Sequence, residues 1–520
     1  MQKQLEEKQA VSASNLWENA LKSVSNLSPK LLLAAILVAG VLARTYPMLM
    51  PSFPDPDFYY HLRMAEQAYA EGGVPQYDAF SYGGRPYTYY PAHNLLAAFF
   101  AKITGISVPY SITIITLLVA LASLFTIFLL AKKLFGEKTS LGAALAAALV
   151  PGFVAKSTAF ARPDEYALLF LPLAFLLALR EKNNGENNNP NYFALFALFA
   201  LFPLFHFTVA AICFAVFAAA CLAARIGWKK IVSAGAGLTA GALYYAGRDW
   251  KEFLLAKTII PTAETVHLDF AFVFLYSGIF ILFAALALPG LVKKVVAEKK
   301  KGIEAENGGE KINGMEQMPG GFNKNNLLLA WLAAGLALVL AANRGIVFFA
   351  PPLAIAAGVG LKTALKKSEK YSKHFVVFLV AILVITTWAF LYEQKPGFGE
   401  NDVEAAAWLG ENSHGALAAA HWDRGHLLTF YGSRVLADGY FEFAPEPVKK
   451  ISAIEEMLAA GDENRVLQLA VENGVEFVFL DEKSLAGLPE NSVWRNPAVK
   501  GFEKVFDNGA QVWRLKESAA

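Results

Sequence analysis

Along most of the chain the apolar positions neither alternate nor keep to one helical face; they run on between short polar interruptions. Runs approaching the roughly 20 residues that span a bilayer recur at 30–50, 109–131, 140–156, 166–180, 192–205, 207–226, 231–247, 272–292, 326–342, 346–362 and 374–392. The pattern predicts a polytopic α-helical membrane protein with about 11–13 spans. Residues 1–29 are polar and form an N-terminal segment, 30–392 a multi-span domain, and 51–108 a long loop after the first span. From 393 to 520 the pattern changes. Residues 402–410 and 447–473 have helical composition, and 416–420, 434–437, 475–480 and 511–515 are rich in strand formers. This predicts a small soluble α/β domain, large enough at about 125 residues to bury its own core. Residues 181–191 and 295–325 read as solvated linkers.

Charge adds an orientation. Lys132-Lys133, Arg180 with Lys182, Lys229-Lys230, Lys293-Lys294 and Lys366-Lys367 fall in alternate connections, which places those loops and the N-terminus in the cytoplasm of a cell whose plasma membrane the chain crosses. The tail from 393 is acidic and falls outside, and the net charge of +2 hides that division. The first apolar run is too long for a signal-peptide core and is expected to be retained. Hydrophobic residues make up 55% of the chain and charged ones 17%, with a mean hydropathy of +0.38; these values exclude an ordinary soluble protein. Lipid bilayer is expected around it, and no nucleic acid. Cys213 and Cys221 lie in one apolar run, so neither disulfides nor a cysteine zinc site is expected.

The charges that remain cluster at span ends on the external side. Asp55-Pro56-Asp57 follows the first span; two carboxylates one residue apart can hold a divalent cation or orient a nucleophile, or one of them simply caps a helix. The aromatic stretch after it, Phe58 to Tyr69 with Arg63, suits a helix lying in the headgroup layer. Asp164 and Glu165 sit in the short turn Arg162-Pro163-Asp164-Glu165, as ligands or as caps of the next helix. Glu264 stands in the connection 248–271. Arg344 lies at a span boundary, where a guanidinium fork fits a phosphate diester or snorkels to the interface. In the tail, His421-Trp422-Asp423-Arg424-Gly425 can grip a small hydroxyl through a ring N–H and a carboxylate, or form a structural turn around a buried Trp.

Asp55-Pro56-Asp57-Phe58-Tyr59-Tyr60-His61-Leu62-Arg63 resembles the first acidic motif of oligosaccharyltransferase catalytic subunits of the archaeal single-subunit type, and His421-Trp422-Asp423-Arg424-Gly425 resembles their Trp-Trp-Asp-Tyr-Gly signature. Asn343-Arg344-Gly345 resembles the segment carrying their lipid-phosphate arginine. The resemblance runs through the whole chain in order. It implies a GT-C-type membrane enzyme that transfers an oligosaccharide from a lipid-linked donor, on a dolichol- or polyprenol-type phosphate or pyrophosphate, to the Asn of Asn-x-Ser/Thr acceptor polypeptides, with Mn2+ or Mg2+. In that register Asp57 is the catalytic, metal-binding carboxylate, Asp164 or Glu165 a second ligand, and Glu264 a catalytic partner. Arg344 holds the lipid phosphate, and His421, Trp422 and Asp423 bind the acceptor hydroxyl. Asp55 and a later Asp/Lys-type motif, sought at Asp481 with Lys483 or at Asp462 with Arg465, are less securely matched. The first signature Trp is His421 here and its Tyr is Arg424. Two other readings stay open: a lipid-phosphate-dependent glycosyltransferase with another acceptor, and a non-enzymatic paralogue or transporter.

Overall fold

A computed structural model describes residues 28–519 except 161, 181–189, 261–269, 309–321, 368–371 and 394. In chain order the membrane part contains α1 (Pro29–Thr45), α2 (Pro56–Glu71), β1 (Tyr77–Asp78), β2 (Arg85–Pro86), α3 (Ala92–Thr104), α4 (Val108–Phe135), α5 (Glu137–Leu149), α6 (Pro151–Ala155) and α7 (Tyr166–Ala178). It continues with α8 (Pro190–Ala223), α9 (Trp228–Ala242), α10 (Trp250–Ile259), α11 (Phe270–Ser277), α12 (Phe280–Gly308), α13 (Lys324–Ala341), α14 (Ile346–Lys367) and α15 (Ser372–Tyr392). Six helical stretches among the described residues are long and apolar enough to cross a membrane. Shorter helices pack between them, and α5, α7 and α14 are buried in one continuous apolar core.

The α8 stretch is two helices. Along a continuous helix Phe199 and Phe217 would stand about 27 Å apart, yet their ring centroids are 5.5 Å apart, and Phe199 also meets Phe214 at 5.8 Å. The chain doubles back at His206, whose backbone is extended (φ −166°, ψ 105°). The two runs expected at 192–205 and 207–226 are the arms of this hairpin. The α9 helix then packs parallel to the first arm: Ser233 Oγ donates to Tyr192 O at 2.6 Å and Tyr245 OH to Pro203 O at 2.8 Å.

The two ends of the bundle differ in charge. At one end Lys230 donates to Ala178 O, Asn191 to Arg180 O, and Lys324 lies over the Phe135 ring. The acidic motifs gather at the opposite end, beneath the C-terminal domain. That domain comprises α16 (Glu400–Asn412), β3 (Leu417–Ala419), α17 (Gly425–Phe430), β4 (Arg434–Val435), α18 (Pro447–Ala459), α19 (Glu463–Asn473), β5 (Phe477–Leu480), α20 (Glu482–Gly487), β6 (Phe502–Asp507) and β7 (Gln511–Leu515). Its strands form one sheet in the order β4-β3-β5-β7-β6, parallel around β3 and antiparallel from β5 onward. The helical composition at 447–473 divides into two helices because Asp462 caps the second by accepting from Asn464 N–H. The strand β6, half exposed at the sheet edge, was not expected from the sequence.

The α2 helix does not lie on a membrane surface. The side chains from Phe58 to Ala65 are buried from two sides, Phe58, Leu62 and Ala65 in the core of the bundle and Tyr59 and Tyr60 under the C-terminal domain. Arg63 is held by Asp78 in a bidentate pair at 2.7 and 2.8 Å.

The α9 contact sets a testable constraint. A Cβ on Gly237 would lie 2.1 Å from Phe196 O, and one on Gly241 2.2 Å from Ala200 O. Small residues four apart let the backbones touch. Gly237→Leu is expected to cost about 1–3 kcal/mol by overpacking, read as a lower melting temperature in detergent. Gly290→Leu, where a Cβ meets nothing within 4 Å, is the control; equal melting of the two variants would sink the packing argument.

Candidate active site

The site is built on the first turn of α2. Asp55 is its N-cap, accepting from Asp57 N–H at 3.0 Å, and Pro56 opens the helix with its preset φ. The cap is therefore Asp55, and Asp57 is left to point its carboxylate at other elements. Arg162 bridges both acids: Nε meets Asp55 Oδ2 at 2.9 Å and Nη1 meets Asp57 Oδ2 at 2.6 Å. The other oxygen of Asp57 faces His426 Nε2 at 3.7 Å. Three regions distant in sequence thus meet at one carboxylate: the first loop, the turn after α6, and the C-terminal domain.

Asp164 and Glu165 form a 3-10 turn with Pro163, and neither side chain caps α7. Asp164 lines a cavity of about 140 Å³ together with Asp55, Lys156, Thr158 and Arg162. Glu165 is not on that wall, and the cation whose field it feels is Arg44. Asp164 Oδ2 and both carboxyl oxygens of Glu165 are buried with no hydrogen-bond partner among the described residues. A desolvated carboxylate of this kind is what a hard divalent cation relieves. Among the described residues no three His, Cys, Asp or Glu side chains converge as a cation site. Carboxylate oxygens are the donors that Mg2+ or Mn2+ takes; of the expected ligands Asp164 lines the cavity, while Asp57 is tied to it only through Arg162, which also holds Asp55 on that wall. Glu264, expected as a further member, lies outside the described residues.

The signature turn comes next to Asp57 through α17. Trp422–Arg424 is a 3-10 turn in which His421 Nδ1 accepts from Asp423 N–H at 3.4 Å, and the His421 and Trp422 rings lie 5.3 Å apart. Trp422 is half-buried against the domain core. Gly425 is needed because its backbone presses on the strand exit: a Cβ there would sit 2.5 Å from Asp438 Cβ. That close approach starts α17, which lies on α2 with Phe430 against Tyr59 and His426 against Tyr60, both at 5.3 Å between ring centroids. His426, the residue after the stretch read as a hydroxyl grip, is the one that reaches Asp57.

Arg344 does not touch Asp57 and is separated from it by a run of buried rings. Its Nη1 is 3.2 Å from His206 Nε2 at the turn of the α8 hairpin. From there contacts run on through Tyr90, Tyr89, Tyr440 and His426 to Asp57. Asp481 caps α20 through Ser484 N–H and pairs with Arg424, Lys483 is exposed, and Arg465 pairs with Glu456 on the surface.

The covering layer over α2 is polar and sealed. His61 Nε2 meets Tyr440 OH at 2.9 Å and Nδ1 meets Asn94 Oδ1 at 2.9 Å. Burial pushes the His61 imidazole down to about 4, against the Asn94 hydrogen bond that raises it. The ring is thus neutral at pH 7, with Nδ1–H donating to Asn94 and Nε2 accepting from Tyr440. Because the folded value lies below the ordinary 6.5, this contact contributes fully above pH 6.5 and is lost as pH falls toward 4. Between those limits His61→Gln is expected to lose about 3 kcal/mol less than the unmodified chain, measured as the drop in melting temperature on acidification. An identical drop in both proteins would refute the assignment.

The family model of dolichyl-phosphate-mannose-protein mannosyltransferases matches residues 85–246. No curated protein matches by sequence. The crystal structure of the Archaeoglobus fulgidus oligosaccharyltransferase in its apo form superposes with a TM-score of 0.66 at 13% identity, over 88% of this chain and 70% of that one. The complex of that enzyme with an inhibitory peptide and a dolichol-phosphate gives the same TM-score and identity over 94% and 74%. ArnT from Cupriavidus metallidurans bound to undecaprenyl phosphate superposes with a TM-score of 0.57 at 14% identity, over 94% of this chain and 98% of that one. The chain has the GT-C fold of these membrane glycosyltransferases, resembling the archaeal oligosaccharyltransferase.

Proposed function

We propose that this protein transfers an oligosaccharide from a lipid phosphate or pyrophosphate carrier to the side-chain nitrogen of Asn in Asn-x-Ser/Thr acceptors. The observation that carries the reading is the seating of α17 on α2, which sets His426, on the helix that the signature turn opens, against Asp57. A signature for an acceptor hydroxyl is useful only beside the carboxylate that handles the nucleophile. The superposition with an enzyme solved with a peptide and a dolichol-phosphate supports the same pairing of substrates.

An Asn carboxamide is a poor nucleophile because its nitrogen lone pair is delocalised into the carbonyl. Asp57 and Glu264 accept hydrogen bonds from the amide NH2, hold it and twist it, which returns the lone pair to nitrogen. That nitrogen attacks the anomeric carbon, giving up one proton to the Asp57 carboxylate, as the bond to the carrier phosphate breaks and the phosphate leaves from the opposite face, a single displacement with inversion. Arg162 aims the Asp57 carboxylate through its contact to Oδ2. Arg344 offers a guanidinium to the departing phosphate. A divalent cation held by Asp57 and Asp164 would supply further neutralisation of that phosphate. His421, Trp422 and Asp423 receive the Ser/Thr hydroxyl two residues after the Asn. The domain-bearing end of the bundle faces outward.

A second reading is the same donor chemistry on a hydroxyl acceptor. It is favoured by the mannosyltransferase model over residues 85–246 and by ArnT, whose chain is covered almost entirely.

The test is transfer by purified protein from a polyprenyl-linked oligosaccharide to an Asn-x-Thr peptide, with Asn-x-Ala alongside and with EDTA or Mn2+. Transfer to the Thr peptide only is expected, lost with EDTA and restored by Mn2+. Asp57→Asn is expected to lower the rate about a hundredfold, the scale of a positioned catalytic group. Transfer to a hydroxyl acceptor with neither Asn peptide modified would move the assignment to the second reading.

A further inference from the structure

The signature turn departs from the family pattern at Arg424, and the departure is built into the domain. Arg424 is 4% exposed, so it is not a surface charge that drifted into the motif. Its Nη1 meets Asp423 Oδ2 at 3.1 Å and its Nε meets Asp481 Oδ2 at 2.6 Å. The guanidinium carbon stands 5.2 Å from the centre of the Phe398 ring, and Phe398 O accepts from Ser52 Oγ at 2.7 Å. The arginine is thereby clamped between the start of α20 and the segment leading into α16. Lys483, the residue a separate Asp/Lys motif would supply, is exposed and makes no ion pair among the described residues.

A carboxylate that must take one hydrogen bond from an incoming hydroxyl needs its rotamer held and its charge balanced. Asp423 is about a third exposed, so solvent alone would leave it free to turn. Arg424 engages Oδ2, and Oδ1 remains for a ligand. On the other side of the turn His421 Nδ1 accepts from Asp423 N–H, so the ring proton is on Nε2 and available as a donor. Burial lowers the His421 imidazole below its usual value, against Asp423 and with Arg424, which keeps that tautomer at neutral pH.

We propose that Arg424 is a positioning residue: anchored on Asp481 and Phe398, it fixes Asp423 as the acceptor for the Ser/Thr hydroxyl and so sets discrimination between acceptors with and without that hydroxyl. The proposal rests on the peptide-acceptor reading given above. It predicts that selectivity is lost when the fork geometry is lost, even where a charge or a folded domain is kept.

The experiment reads binding, so it does not depend on a supply of active donor. Labelled Asn-x-Thr and Asn-x-Ala peptides are titrated by fluorescence anisotropy against the full chain in nanodiscs, for the unmodified protein, Arg424→Lys and the double variant Arg424→Gln/Asp481→Asn. The double variant removes both members of the buried pair and leaves no stranded charge. The unmodified protein is expected to prefer the Thr peptide about tenfold, the scale of one hydrogen bond to a charged group. The double variant should bring the preference close to one. Arg424→Lys, which keeps the charge but loses the planar fork, should fall between, near threefold. A preference that stays at the unmodified level in both variants overturns the proposal while leaving the function intact. No preference in the unmodified protein would instead remove the acceptor reading, and this proposal with it.

Discussion

The position of the site depends on an arginine inside the bundle. Pro151 has no N–H, so Ala147 O loses its helical partner where α5 ends, and an unsatisfied carbonyl among apolar helices is costly. Arg44, fully buried near the end of α1, supplies the missing donors: Nη2 to Ala147 O at 3.1 Å, Nη1 to Ala148 O at 3.2 Å and to Gly40 O at 2.8 Å, and Nε to Ser157 Oγ at 2.8 Å. Thr387 from α15 takes Leu149 O at 2.7 Å. With the break satisfied, the chain leaves α6 in a defined direction, and Ala159 is pinned by its N–H on Arg44 O and its carbonyl on Thr116 Oγ1. Three residues later Arg162 meets Asp55 and Asp57. A buried cation, expensive in isolation, is here offset by four acceptors and fixes the height of the second acidic motif against the first.

From that fixed point the site is assembled by covering α2. The helix is too polar at its start and too aromatic along its length to stand in either water or lipid alone. To the partners its side chains have in the membrane part, such as Asn94 on His61, the C-terminal domain adds others as it closes over them: Tyr440 on His61, Phe430 on Tyr59, and His426 beside Asp57. The carboxylate thereby lies between a membrane arginine that binds it and a domain histidine that faces it, with 17% of its side chain exposed. Low local dielectric strengthens every charge interaction aimed at a reacting group.

Much of this was legible in the sequence. The unbroken apolar runs display the bundle, because lipid leaves only length and hydropathy as constraints. They even separate the two arms of the α8 hairpin, whose turn at His206 carries the one histidine in that stretch. The acidic motifs and the signature were visible by residue type. What pairs them was not. Nothing in the spacing of Arg44 or Arg162 says which carbonyl or carboxylate each will meet across more than 100 residues. The α2 helix was assigned to the headgroup layer because amphipathicity reports an apolar face without saying whether lipid or another domain covers it. Edge strand β6 escaped because only one of its six residues is buried and its pattern reports pairing only weakly.

The departures in the signature turn follow from what each position touches. Gly425 has no freedom: its backbone is pressed against Ala437 and Asp438, so any side chain would push α17 off α2 and move His426 away from Asp57. Positions 421 and 424 are constrained by chemistry and not by backbone contact. A ring with an N–H suffices at 421, and His421 retains one while its other nitrogen caps the turn. At 424 the side chain points into the domain, where Asp481 awaits a cation. The turn can therefore change two of its five residues and keep its geometry, because the geometry is held by the glycine and by the helix that the glycine allows to dock.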